Sequence, residues 1–78
     1  MSYSQLYYLV KGGAKVEFKL KAVREEIGIS QSELAKKSGV GRVTINRIEN
    51  GEVNTITSRT LVRLAKALNV STDTLIQQ

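Results

Sequence analysis

The chain of 78 residues contains no cysteine, no histidine and no proline. Without cysteine, neither a disulfide nor a thiolate metal site can hold the fold, and nothing follows about redox compartment. Without histidine, the commonest general base and the commonest metal ligand are missing. The carboxylates are spread along helical segments, so no acid–base pair or nucleophile–base constellation stands out, and no enzymatic activity, metal or cofactor is expected. No apolar run approaches the ~18 residues of a membrane span, and the start lacks the basic, apolar and small-residue succession of a signal peptide. The expected location is therefore cytoplasmic, with no membrane partner. With proline absent, glycine does the punctuation between segments.

What is present is mostly basic. Twelve Lys or Arg stand against seven Asp or Glu, a formal charge of +5, which favours an anionic partner over ordinary solubility charge. A chain of this length makes one domain, close to the size at which a single core is only marginally stabilising, so a homodimer would help.

Helical spacing dominates from Val16 onward. Val16, Leu20, Val23 and Ile27 recur at three- and four-residue steps and end at Gly28, predicting a first helix over about Val16 to Ile27. Ser30 followed by Glu33 is a capping box that opens a second helix over about Gln31 to Lys37. Gly39 ends it, and Val40, Ile45 and Ile48 resume the apolar stripe in a third helix over about Arg42 to Glu49, with Gly51 as a second stop. A fourth helix, capped by Thr57 or Ser58, carries Leu61, Leu64, Ala65 and Leu68, and a short fifth, capped by Ser71 or Thr72, runs through Leu75 and Ile76. The expected fold is all-α: five helices over residues 16–78, preceded by an N-terminal arm over residues 1–15.

Two readings of the arm stay open. The Gly12-Gly13 pair can turn a β-hairpin between Leu6–Val10 and Lys15–Phe18, or Ser4 and Gly12 can cap a one- or two-turn helix. All three tyrosines lie here. Such an arm could pair with a second subunit, bind a partner protein, cover its own core or remain disordered.

The second and third helices form a unit joined by a short glycine turn, a steep crossing that needs a small residue, and Ala35 is small. On the third helix the residues facing away from Ile45 and Ile48 are Val43, Asn46, Arg47 and Asn50, with Arg42 at the leading edge. That face carries two arginines and no acid, which suits a surface that places side chains into DNA. Glu49, beside Ile48, falls on the inward side and needs a partner.

The string LKAVREEIGISQSELAKKSGVGRVTINRIENG, followed by TLVRLAKALNVSTDTL, closely resembles the Cro/phage-repressor type, or xenobiotic-response-element-like, helix-turn-helix family. The match runs from about Val16 to Ile76. Its markers are Leu20, Val23 and Arg24, then Ser30-Gln31 with Glu33-Leu34-Ala35, Gly39-Val40, Ile45, Ile48 through Gly51, and Leu61, Leu64-Ala65 and Leu68. Each is weak alone, but together in register they are specific.

The resemblance implies a third helix lying in the major groove of double-stranded DNA, with Arg42, Val43, Asn46 and Arg47 reaching base edges. It places Gln31, Thr44 and Asn50 on phosphates. It also implies a structural, largely buried ion pair between Arg24 and Glu49, which would supply the partner that Glu49 needs. The chemistry agrees: arginine pairs with guanine O6 and N7, asparagine with adenine, and a valine packs on the thymine methyl. For the arginines the plain alternative is a solvated face, and for Val43 and Asn46 an ordinary surface position. Three departures stand out: Gly41 where the family often caps the recognition helix with serine, Ser38 where an apolar residue is frequent, and no proline between Gly51 and Thr60. The expectation is a sequence-specific transcriptional regulator, a dimeric repressor on a two-fold operator. The alternative is an antitoxin-type module that binds a partner protein and represses its own gene, favoured by the aromatic arm of Tyr3, Tyr7 and Tyr8.

Overall fold

The computed structural model describes residues 17–53 and 56–77. Four α-helices follow in order: α1 (Leu20–Ile27), α2 (Gln31–Ser38), α3 (Arg42–Glu49) and α4 (Ser58–Leu68). A 3-10 helix, Thr72–Leu75, comes next, and β1 (Glu17–Phe18) pairs antiparallel with β2 (Ile76–Gln77). The arm over residues 1–15, with both of its readings, lies outside the described residues.

Local chemistry explains the helix ends. Ser30 Oγ accepts the Glu33 N–H at 3.0 Å, and Glu33 Oε1 accepts the Ser30 N–H at 3.0 Å, so α2 opens on a complete capping box. The Ser30 backbone and hydroxyl hydrogen bonds hold the Glu33 carboxyl below its usual range. Gly39 closes α2 at φ +73°, a left-handed conformation with no steric cost for glycine, and returns its N–H to the Ala35 carbonyl at 3.0 Å. Thr57, rather than Ser58, caps α4 by accepting the Thr60 N–H at 3.2 Å.

The ends of the domain depart from the five-helix expectation. The first helix begins at Leu20, not Val16, because Phe18 sits opposite Ile76 in the strand pair and the Lys19 N–H donates to the Leu75 carbonyl at 2.9 Å. The expected fifth helix is a single 3-10 turn, opened by Ser71 Oγ accepting the Thr74 N–H at 3.3 Å. Ile76 leaves it in extended conformation, with φ −114° and ψ 129°, since the pairing with β1 requires a pleated backbone. Among the described residues, the partner of Phe18 is Ile76, near the far end of the domain.

One core ties these pieces together. Leu20, Leu34, Val40, Ile45, Ile48, Leu61, Leu64, Ala65, Leu68 and Leu75 are buried, with Phe18, Ala35 and Ile76 packed against them. Each fully buried large aliphatic side chain contributes about 1.5–3 kcal/mol, so α2, α3 and α4 are held chiefly by this cluster. Ser38 is buried as well, and its hydroxyl accepts the Val40 N–H at 3.1 Å. A polar residue is tolerated there because the bond satisfies both the hydroxyl and a turn amide.

Candidate nucleic-acid interface

The helical period divides α3 into two faces. Ile45 and Ile48 are 0% and 3% exposed, whereas Arg42, Val43, Thr44, Asn46, Arg47 and Asn50 all lie on the exposed side. Val43 is 68% exposed, a large apolar side chain left out of the core. Gly41 stands at the N-cap with φ −60° and ψ 143°, and no side chain caps the helix. The first-turn N–H groups of α3 therefore have no side-chain acceptor.

The outer face of α3 does not stand alone. Gln31 from α2 and Glu52, just beyond α3, join Arg42, Val43, Asn46 and Arg47 around an open concavity of about 470 Å³. The face read from helical periodicity as free of acid thus has a carboxylate in space. Gly51 turns the chain, and the Glu52 N–H returns to the Arg47 carbonyl at 3.0 Å, bringing Glu52 back beside the helix. The glycine stop was the available signal, but a helical wheel ends with the helix.

Beneath the concavity runs a chain of polar contacts. Arg24 on α1 donates from Nε to Glu49 Oε2 at 2.7 Å and from Nη2 to Oε1 at 2.9 Å, a bidentate pair. Its Nη1 donates to the Ile29 carbonyl at 2.8 Å. The Glu49 side chain is 1% exposed. Burial pushes the Glu49 carboxyl upward, but the hydrogen bonds from Arg24 and Gln31 together with the charges of Arg24 and Lys21 outweigh it and leave the group below its usual range. The Glu49 hydrogen bond in turn raises the Arg24 pKa, against the effect of burial.

The same carboxylate connects to the outer face. Gln31 Nε2 donates to Glu49 Oε1 at 3.0 Å, and Asn46 Nδ2 makes a long contact of 3.5 Å to Gln31 Oε1. Asn50 Nδ2 donates to Asn46 Oδ1 at 2.9 Å and to Glu52 Oε2 at 3.4 Å. The Gln31 side chain is therefore half-buried and engaged within the protein, so what the start of α2 offers an anion is chiefly its free backbone N–H groups. The Asn50 amide is likewise engaged by neighbours. Thr44 is exposed in the first turn of α3, with its hydroxyl on the Gly41 side.

Chemically, the face can present two guanidiniums, one amide and one methyl-bearing side chain to a polyanion with readable edges. Among the described residues, no group of three or more acids could hold a metal ion. No helix among them is long and apolar enough to cross a membrane.

Two helices joined through a glycine turn, the second presenting a polar, arginine-bearing face, define a helix-turn-helix protein. The chain matches the Helix-turn-helix family model over residues 20–75 and belongs to that family, the Cro/phage-repressor type of DNA-binding transcription regulators. It is also 42% identical over 52 residues to antitoxin HipB of Escherichia coli (strain K12), an alignment covering 67% of this chain. The chain spans 58% of the length of that curated relative.

Proposed function

We propose that this protein is a sequence-specific transcriptional regulator that binds duplex DNA through α3 and represses by occupying a two-fold operator as a homodimer. The observation that carries this reading is the exposed α3 face, where Arg42, Val43, Asn46 and Arg47 line one concavity while Ile45 and Ile48 anchor its back to the core. In this reading those four residues contact base edges. Gln31, Thr44 and Asn50 lie beside the phosphates, and the Arg24–Glu49 pair holds the helix at a set angle to the scaffold. Two copies would place their recognition helices in successive major grooves, with half-sites about one helical turn, ~34 Å, apart. Selection of duplexes from a random pool by the purified protein tests this. A palindromic consensus with that spacing is the expected result, and failure to enrich any motif would reject sequence-specific binding.

A second reading is that the protein is also an antitoxin, neutralising a partner protein and repressing its own gene. The 42% identity to antitoxin HipB favours it. Co-purification of the untagged product of a neighbouring gene would support this reading. A clean homodimer that binds DNA alone would count against it.

A further inference from the structure

We propose that Glu52 is a specificity-determining residue: its carboxylate weakens binding to phosphates in general and so leaves discrimination to the base-reading side chains. This rests on the reading of α3 as a duplex-binding helix. Glu52 lines the same concavity as Arg42 and Arg47, and its Oε2 accepts from Asn50 Nδ2 at 3.4 Å. The Asn50 amide also donates to Asn46 Oδ1 at 2.9 Å. A phosphate approaching Asn50 must therefore compete with a carboxylate for the same amide and sit against its negative charge.

Base edges differ in this respect, because they offer neutral donors and acceptors and feel no comparable repulsion. Affinity for arbitrary duplex comes almost wholly from phosphate neutralisation, whereas discrimination comes from base contacts. An acid among the arginines lowers the first without removing the second. Specificity is a difference of affinities, and a repulsive group set against the unwanted ligand serves it as well as an attractive one for the wanted ligand.

The test uses the full chain, a random-sequence duplex and the duplex selected from the random pool, each titrated between low and moderate salt. Glu52→Gln is compared with Glu26→Gln, an equal charge change at an exposed position on α1 that does not line the concavity. Glu52→Gln should bind random duplex about three- to tenfold tighter at low salt, with log K against log salt steeper by about one unit. The ratio of selected to random affinity should fall. Glu52→Lys should extend both trends, and Glu26→Gln should show neither to the same degree. If Glu52→Gln and Glu52→Lys match Glu26→Gln on random duplex while the wild type still prefers the selected one, the assignment to Glu52 is overturned and the DNA-binding reading stands. If the wild type binds neither duplex, that reading fails and the proposal falls with it.

Discussion

Arg24 and Glu49 lie 25 residues apart in sequence, yet two guanidinium nitrogens of one meet both carboxylate oxygens of the other, at 2.7 and 2.9 Å. The pair joins α1 to the end of α3, with side chains 11% and 1% exposed. Its removal tests the scaffold rather than the exposed face of α3.

Breaking the pair from one side strands a buried charge. Glu49→Ala should lose about 3–5 kcal/mol of stability, while replacing both members by apolar residues should recover much of that loss. Since 1 kcal/mol moves the melting temperature of a domain this size by roughly 4–8 °C, calorimetry resolves the difference easily. Glu52→Ala, at an exposed position, should melt close to wild type. Equal melting temperatures for Glu49→Ala and Glu52→Ala would reject an anchoring role for the pair.

The same carboxylate sets an acid limit. The folded pKa of Glu49 lies below its usual value: burial, the largest single effect, raises it, but the hydrogen bonds from Arg24 and Gln31 together with the charges of Arg24 and Lys21 outweigh that. Its stabilising contribution is therefore complete above the unfolded carboxylate pKa of about 4.3 and disappears as pH falls through the lower folded value. Glu33, lowered by its capping bonds to Ser30, acts with the same sign. The melting temperature of the wild type should fall on acidification from neutral pH into this range. In Glu49→Gln the fall should be smaller, and an identical pH profile for both would contradict the linkage.

Gly41 leaves α3 without a side-chain cap. Its backbone already has the extended geometry of an N-cap, and an added Cβ would meet nothing nearer than Thr44 Oγ1 at 4.0 Å. Gly41→Ser should therefore accept the Thr44 N–H and stabilise the domain by about 0.3–0.5 kcal/mol, a serine cap exceeding glycine by only a few tenths. A small rise in melting temperature is expected. A fall would mean that the first turn of α3 cannot accept the hydroxyl.

If Arg47 reads a base, removing it changes which sequences bind and not only how tightly. Arg47→Ala should cost about 1–3 kcal/mol of discrimination at one position of the selected site. Thr44→Val, which removes a hydroxyl from the first turn, should weaken all duplexes about equally. Competition binding against single-base variants separates the two. Undiminished preference in Arg47→Ala would end its assignment as a base reader.

The sequence alone determined what depends on neighbours three or four residues away. The Ser30–Glu33 capping box, the turn at Gly39, the inward stripe of Ile45 and Ile48 and the outward set from Arg42 to Arg47 all follow from helical periodicity and local hydrogen bonding. Resemblance to a family suggested Arg24 for Glu49, where periodicity showed only that Glu49 wanted a partner. Tertiary structure alone decided the rest. The sequence offers Phe18 both as strand and as the start of a helix; it is strand because Ile76 lies opposite it, and the fifth helix shrinks to one turn for the same reason. The Gln31 amide turned inward to Glu49, and Glu52 returned to a face that periodicity had left free of acid. The strand pairing and the Gln31–Glu49 contact depend on distances between segments far apart in sequence, which packing of the shared core sets, whereas the return of Glu52 follows from the positive-φ turn at Gly51, which helical periodicity does not track.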